Sequence, residues 1–436
     1  MTLQQIKILI PIHTTPNVKS VVTLFFENIL PVLKQHVKVH VIWVVYQPDR
    51  INELTKTSDD ETILDIHDYD NAVELLQKQK PDIIFAAATR SIVDYSLSIA
   101  AKSMGIPIFS MFWSDWYYST ISSKTQYAAM NLSRFFQNSV PTDINQNQKQ
   151  KMRRGRFFIS KYFFLLKTQR SMKINLFQLI PNFFMILKHT LLDIPTDSRF
   201  ANTIHFLEDE KLQKSLMESG FQKSTLIVTG NPIFDKSLKK SQNKKISMPK
   251  SLKKRILFVP STLYEHGLWK EEQRDFTIQE IVKQIHKQND ELSITVKIHP
   301  STSILSEYTS IIHQIDSSIS VYQKGDIQEY LENSDLIITF ESSTAEVYAI
   351  IDRKPIIICN FFNADQDILV KNGLAVECLE PSRLFESIEK AYHNLDYDEK
   401  RNNFIKEFLY NPDGCASERI CDEILKLLNI FTVNPA

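Results

Sequence analysis

Three consecutive hydroxyl side chains, Ser342, Ser343 and Thr344, lie where an apolar strand pattern changes to a helix pattern. The strand-like residues 335–340 lead directly into them, and Glu346 follows in the first predicted helical turn. Hydroxyls and free backbone N–H groups at the N-terminus of a helix bind anions such as phosphate. An ordinary Ser/Thr helix cap produces the same pattern. We favour phosphate binding because a His-Pro motif, a second group that suits phosphate, is expected in the same domain.

That second group is His299, at the end of the apolar run 294–300. A strand that ends in His-Pro places the imidazole at the carboxyl edge of its sheet, where it can stabilise charge on a leaving phosphate. A third segment, residues 259–267, forms the preceding strand-to-helix loop. Its Ser261 and Thr262 are candidate phosphate contacts, and a plain turn explains them equally well.

Two residues of the first half are candidate general bases. His13 follows the first strand-like run, and Asp115 lies in Trp-Ser-Asp-Trp after a later one. Either side chain could take a proton from a substrate hydroxyl. For each residue alone, a non-catalytic role is the commoner case, so both remain alternatives.

The elements that must position these residues alternate between apolar strands and helices. In the first half, strands are predicted at 6–12, 37–45, 82–89 and 106–113, and after an interruption at 203–207 and 224–230. In the second half they are predicted at 255–260, 294–300, 318–323, 335–340 and 355–361. Continuous apolar strands separated by helices predict parallel sheets that are buried on both faces.

A chain of 436 residues is too long for one compact core. Residues 235–255 are polar and rich in lysine, which is typical of an interdomain linker. We therefore predict an N-terminal domain over 1–235, a linker over 236–254 and a C-terminal domain over 255–436. The fold class is α/β, with two doubly wound, Rossmann-like domains facing across a cleft. A final helix from about residue 417 to 428 is expected to pack back near the first domain.

Composition excludes several classes of protein. Hydrophobic residues make up 43% of the chain, charged residues make up 23%, and the net charge is zero, so nucleic acid is not an expected partner. The four cysteines show no metal-ligand spacing, so we expect neither a metal nor a cofactor. The N-terminus does not resemble a signal peptide, which favours a cytoplasmic protein.

Residues 144–192 interrupt the alternation with a basic aromatic segment. It contains ten cations, seven phenylalanines and no acidic residue. Arg153, Arg154, Arg156 and Lys161 are predicted to lie on helices and to face an anionic surface. Three interpretations remain open: binding to the inner face of a membrane, binding of a polyanionic or lipid-linked acceptor, or a solvated pair of helices.

Several of these motifs resemble those of known families. Val-Thr-Gly-Asn-Pro at 228–232 is similar to the end of the N-terminal domain in lipid A disaccharide synthases, Kdo transferases and non-hydrolysing UDP-GlcNAc 2-epimerases. The His-Pro pair and the block from Ser334 to Pro355 resemble capsule-type Kdo transferases and CDP-glycerol glycerophosphotransferases. In that alignment Ser343 matches the family serine, whereas Tyr348 stands where the families have an acid and Arg353 where they have glycine.

The resemblance implies a GT-B fold and a nucleotide-activated donor bound by the second domain. We interpret the chain as a metal-independent glycosyltransferase that acts on a glycan or lipid-linked acceptor in the synthesis of a surface polysaccharide. Alternatives are a glycerophosphate or polyol-phosphate transferase, a UDP-sugar 2-epimerase, and a nucleotide-sugar or glycan-binding protein without catalysis. The HRxEN block of the epimerases is absent, and residues 261–267 read STLYEHG at that point.

Overall fold

The computed structural model describes most of both halves of the chain. The described residues are 3–12, 21–46, 59–86, 91–112, 154–175, 177, 184, 201–241, 253–265, 268–288, 290–300, 303–340, 343–362, 367–393 and 397–430. His13, Asp115, Arg153 and Ser342 lie outside these ranges. Arg154, Arg156 and Ser343 are described as helical backbone only.

The first sheet has seven parallel strands in the order β3-β2-β1-β4-β5-β6-β7. They are β1 Gln5–Ile12, β2 Lys38–Val45, β3 Glu61–Asp65, β4 Ile83–Phe85, β5 Ile108–Phe112, β6 Ile204–Leu207 and β7 Leu226–Val228. The helices between them are α1 Val21–Leu33, α2 Ala72–Gln79, α3 Ile92–Ser103, α4 Arg154–Ser171 and α5 Glu210–Glu218. The strand β1, which lies between β2 and β4, is buried on both faces because its run of isoleucines presents an apolar side chain at nearly every position.

The second sheet has six parallel strands in the order β10-β9-β8-β11-β12-β13. They are β8 Lys254–Val259, β9 Leu292–Lys297, β10 Ser320–Tyr322, β11 Leu336–Thr339, β12 Ile356–Cys359 and β13 Val376–Cys378. The helices that follow α5 are α6 Asp235–Ser241, α7 Glu271–His286, α8 Leu305–His313, α9 Ile327–Glu332, α10 Ser343–Ile351, α11 Ile368–Lys371, α12 Leu384–Tyr392, α13 Tyr397–Phe408 and α14 Ala416–Leu427. The two sheets confirm the predicted α/β class.

One apolar cluster joins the two domains. It includes Phe26 and Ile29 of α1, Tyr348 of α10 and Ile424 of α14, each no more than 3% exposed. The thiol of Cys421 in α14 also lies 3.5 Å from the backbone carbonyl of Ile29. The closing helix therefore packs against the first domain, as predicted.

The start of the predicted linker is structured. Residues 235–241 form α6, in which Asp235 is only 5% exposed. The carboxylate of Asp235 accepts hydrogen bonds from the backbone N–H groups of Ala416 at 3.0 Å and Ser417 at 2.7 Å. Charge composition alone did not reveal this helix because the contacts that stabilise it come from the far end of the chain.

Gly230 shows why the Gly-Asn-Pro turn has this sequence. Its φ is +80°, and a Cβ there would lie 2.9 Å from the backbone carbonyl oxygen of Tyr410. The backbone carbonyl of the preceding Thr229 accepts a 2.8 Å hydrogen bond from Nε of Arg419. The turn is thus a contact between the first domain and the C-terminal segment, which requires glycine for both conformation and space.

Two strands were not predicted from the sequence. β3 is only half-buried along its length, and β13 has three residues. Both lie at sheet edges, where short and partly polar strands carry a weak apolar pattern. Among the described helices, none is long and apolar enough to cross a membrane.

Candidate functional site

The carboxyl edge of the second sheet brings three predicted segments together. β8 lies between β9 and β11 and pairs in parallel with both. The loop after β8 carries Ser261 and Thr262, the end of β9 carries His299, and α10 follows β11. Ligands of doubly wound sheets bind at this edge, so the candidate phosphate-binding residues lie around one place in the fold.

His299 is exposed just beyond the end of β9, and a buried cation lies two residues before it. Lys297 is 4% exposed, and its amine donates to the backbone carbonyls of Ile298 at 3.1 Å and Gln323 at 2.8 Å. Burial lowers the pKa of Lys297 to about 8. This lysine holds the ends of β9 and β10 together and adds positive charge beneath the His-Pro turn. In the sequence, Lys297 stands out because it is a lysine within the otherwise mainly apolar run 294–300.

The loop after β8 contains two buried polar atoms that have no hydrogen-bond partner within the described part of the chain. They are Oγ of Ser261 and Oε2 of Glu265. The other carboxylate oxygen of Glu265 accepts a 2.8 Å hydrogen bond from the hydroxyl of Tyr308. Buried polar groups are normally paired, so both atoms suit contacts with a polar ligand. Glu265 was not among the predicted site residues.

A buried arginine stabilises this loop from behind. Arg274 of α7 is 3% exposed, and its guanidinium lies 4.2 Å from the ring centre of Tyr264. The same group forms ion pairs with Asp275 at 2.8 Å and Glu307 at 2.9 Å. Because Tyr264 and Glu265 are adjacent, the network fixes the loop that carries the unpartnered carboxylate oxygen.

The interior of helix α10, which was predicted to contribute Glu346 to the site, is buried. Its first residue is Ser343, and Thr344 is partly exposed, so the helix does begin at this edge. Glu346, predicted to bind the donor, is 1% exposed because α10 is covered by α6 and α9. Glu346 thus lies inside the protein, and only the first turn of α10 is open to a ligand.

Tyr348, which stands where the resembling families have an acid, is part of the interdomain contact. Its hydroxyl donates a 2.9 Å hydrogen bond to the backbone carbonyl of Ile233. Its ring packs edge-on against Phe234 with 5.0 Å between the ring centres. At 3% exposure it cannot reach a ligand, so no acidic function can be assigned to this position.

Aromatic side chains extend the edge beyond β11. Trp269 stacks on Phe340 with 4.9 Å between the ring centres, and its edge meets Phe362 at 5.4 Å. Phe276 and Phe362 are 45% and 38% exposed. Partly exposed aromatic rings at this edge suit the flat face of a nucleobase. The sequence analysis did not identify them because they come from three separated loops and helices.

Most of the candidate residues predicted in the first half of the chain cannot be compared with the structure. His13 and Asp115 lie outside the described residues, as does Arg153. Of the four cations assigned to an anionic surface, only Lys161 has a described side chain. Its amine lies 4.9 Å from the ring centre of Tyr46 and lines a pocket in the first domain, rather than facing outward.

Two parallel α/β sheets in two Rossmann-like domains, with a closing helix that packs against the first domain, define a protein of the GT-B class. A family model for UDP-N-acetylglucosamine 2-epimerase matches residues 200–425, more than half of the chain. The chain therefore belongs to the UDP-N-acetylglucosamine 2-epimerase family. Among curated proteins, none matches it significantly.

Solved structures agree on the fold. A Listeria monocytogenes protein assigned as a UDP-N-acetylglucosamine 2-epimerase is 14% identical, with a TM-score of 0.56, 99% of this chain covered and 98% of that one. S. aureus MnaA in complex with UDP is 16% identical, with a TM-score of 0.51 and 99% of each chain covered. The wall teichoic acid polymerase TagF is 13% identical, with a TM-score of 0.51, 97% of this chain covered and 89% of that one.

These comparisons confirm the resemblance to the GT-B superfamily. The family match favours the epimerase alternative over the glycosyltransferase interpretation. The polymerase supports the transferase interpretation at the level of the fold alone. The comparisons thus support an enzyme superfamily that includes UDP-N-acetylglucosamine 2-epimerases and the wall teichoic acid polymerase.

Proposed function

We propose that this protein binds a UDP-linked amino sugar at the carboxyl edge of its second sheet and inverts the sugar at C2. The proposal rests above all on the convergence of the β8, β9 and α10 segments at one edge. The family match and the UDP complex of S. aureus MnaA support UDP as the nucleotide.

Each group at this edge then has a chemical task. The first turn of α10 binds a phosphate through its N–H groups, and His299 donates to the same diphosphate. The partly exposed Phe276 and Phe362 offer a surface for the uracil ring. Oε2 of Glu265, which has no partner within the described residues, accepts a hydrogen bond from a ribose or sugar hydroxyl. Inversion at C2 further needs a base, for which His13 and Asp115 remain the candidates.

Sugar transfer is the second candidate function, and one particular feature favours it. The loop after β8 lacks the HRxEN block of the epimerases. An enzyme that lacks this block would still bind the nucleotide and could pass the sugar to a glycan or lipid-linked acceptor.

A proton NMR experiment in D₂O separates these functions. Purified protein is incubated with UDP-GlcNAc, and epimerisation gives the C2 epimer with deuterium at C2, because removal of the C2 proton exposes that position to solvent. Release of UDP with an intact C2–H bond would instead support transfer or hydrolysis.

Titration of UDP into the same protein is the accompanying binding test. Binding without any change in UDP-GlcNAc would identify a non-catalytic binding protein. If UDP does not bind, or if its affinity is unchanged in a Phe362→Ala, His299→Ala double variant, the site proposed here is wrong.

A further inference from the structure

The carboxyl edge of the first sheet also carries a pocket. Tyr46 follows β2 and Ile66 follows β3, and both line the pocket from the sheet side. The helix α4 closes it with Lys161 and Phe164, and the volume is about 310 Å³. Small-molecule sites fall in the range of roughly 300–1,000 Å³, so this pocket suits one ring with its substituents.

The wall made by α4 is held in place by contacts with the start of α2 and with the core. The amine of Lys167 forms a 2.8 Å ion pair with Asp70. The hydroxyl of Thr168 accepts a 3.0 Å hydrogen bond from the backbone N–H of Ala72 at the start of α2. Leu165 is fully buried beneath the helix. These contacts hold α4 against the first domain, and a rigid wall loses little entropy when a ligand binds.

The pocket contains a cation in a poorly hydrated position. The amine of Lys161 lies 4.9 Å from the ring centre of Tyr46, which is itself only 2% exposed. Burial lowers the pKa of Lys161 to about 8, although the nearby carboxylate of Asp94 opposes this shift. An ammonium group that has lost part of its hydration gains strongly from an anionic ligand.

The other walls of the pocket carry aromatic rings and a serine hydroxyl. Tyr69 is half-buried, whereas Phe163 is 57% exposed at the side of the pocket. The hydroxyl-bearing Ser160 lies beside them. Flat aromatic faces pack against the C–H faces of a sugar ring, and hydroxyls and the ammonium group pair with its polar edge.

This pocket is separate from the residues that place the chain in its family. The family match begins at residue 200, whereas the residues that line the pocket all lie between 46 and 167. None of them belongs to the loops after β8, β9 or β11. The pocket is therefore a feature of the N-terminal half of this chain.

We propose that the pocket is a second ligand site, which binds a pyranose ring carrying one carboxylate or phosphate group. The anionic group pairs with the amine of Lys161, and the ring lies against Phe163 and Tyr69. The proposal goes beyond the proposed function because it involves no nucleotide and no residue of the second domain.

Isothermal titration of the full chain with three small probes tests the proposal. The probes are glucuronate, glucose 6-phosphate and neutral glucose, so that the arms distinguish a carboxylate source, a phosphate source and the uncharged ring. At least one anionic sugar should bind with a Kd of about 1 mM or tighter, whereas glucose should bind at least ~10-fold more weakly. If neither anionic sugar binds, or if glucose binds equally well, the proposal is overturned.

Variants assign the binding to this pocket. Lys161→Met should weaken the anionic sugar by about 10-fold or more through loss of the charge-assisted contact. Phe163→Ala should also weaken it, and that change is at an exposed position and safe for folding. Arg170→Gln, on the same helix but outside the pocket lining, is the matched control and should leave the affinity unchanged. If Lys161→Met and Phe163→Ala bind the anionic sugar as tightly as Arg170→Gln and the wild type do, the ligand binds elsewhere and the proposal is contradicted.

Discussion

The imidazole of His299 and the first turn of α10 should act on the same phosphate, because β9 and β11 flank β8 in one parallel sheet. We expect His299→Ala to lower turnover of the UDP-sugar by about 100-fold, the usual effect of losing one charge-stabilising donor. Ser343→Ala should cost less, since the backbone N–H groups of the helix remain.

The measurement is UDP-sugar turnover of wild type and both variants, with and without EDTA. His286→Ala is the matched control, because that imidazole is exposed and pairs with Asp316 at 2.9 Å on the helical side of the second domain. We predict no effect of EDTA. Loss of activity in EDTA together with full activity of His299→Ala would contradict both the site and the metal-independent mechanism.

A second histidine couples stability to pH. His205 of β6 is fully buried, and its Nε2 accepts a 2.8 Å hydrogen bond from the backbone N–H of Asn202. Its Nδ1 therefore carries the proton and donates to the hydroxyl of Ser110 at 2.7 Å. Burial, with a smaller contribution from Lys102, lowers its pKa from 6.5 to about 3.

Because the folded pKa of His205 is depressed, the unfolded chain takes up the proton first as the pH falls. The stabilisation is complete above pH 6.5 and is lost as the pH falls towards about 3. The slope contributed by one such group is at most ~1.4 kcal/mol per pH unit. Urea unfolding between these pH values should show this slope, and His205→Gln should flatten the curve. An unchanged slope in the variant would show that other groups titrate instead.

At the scale of elements, Asp235 links α6 to α14. Its carboxylate accepts from two backbone N–H groups and from the hydroxyl of Ser417 at 2.6 Å, so it caps the closing helix from the other side of the domain junction. Asp235→Ala leaves these buried donors unpaired and should lower the free energy of unfolding by about 3 kcal/mol.

A helix cap within one domain provides the comparison for Asp235. Asp326 caps α9 by accepting from the backbone N–H of Gln328 at 3.0 Å, and Asp326→Ala should cost only ~1 kcal/mol. Calorimetry of both variants would measure the difference. Equal losses would mean that the contact between α6 and α14 contributes no more than an ordinary cap.

The elements also show which parts of the fold could be predicted. Continuous apolar runs such as 6–12 and 255–260 identify buried parallel strands because nearly every side chain faces the core. The half-buried β3 lacks that signal, as does the three-residue β13. The helix α6 was missed for a different reason, since Asp235 is buried by residues about 180 positions further along the chain.

The candidate site likewise contains residues whose place could be predicted from the sequence and residues whose place could not. The positions of His299 and Ser343 at this edge could be predicted because parallel strands deliver their carboxyl ends to one edge, which needs only the order of strands and helices. Glu265 could not, because its importance depends on the hydroxyl of Tyr308, which approaches from α8. Nor could the burial of Glu346, which depends on how α6 and α9 cover α10.

At the scale of the whole molecule, net charge is zero, so attraction to an anionic surface must come from a local group. The segment 144–192 remains the candidate, with ten cations and no acid. Large apolar side chains within it are exposed: Ile159 by 48%, Phe177 by 84% and Phe184 by 61%. Exposed apolar groups beside cations suit the headgroup region of a membrane.

We therefore predict that the protein binds vesicles in proportion to their content of anionic lipid and that salt reverses the binding. The attraction between exposed charges is screened over about 10 Å at 0.1 M salt, and each cation near the surface contributes about 1 kcal/mol. Replacing Arg153, Arg154 and Arg156 together by Gln should abolish co-sedimentation. The matched control replaces three exposed lysines of the second domain, Lys283, Lys287 and Lys390, and should bind as wild type does. Equal binding to neutral vesicles, or equal loss in both triple variants, would show that this segment does not recognise an anionic membrane.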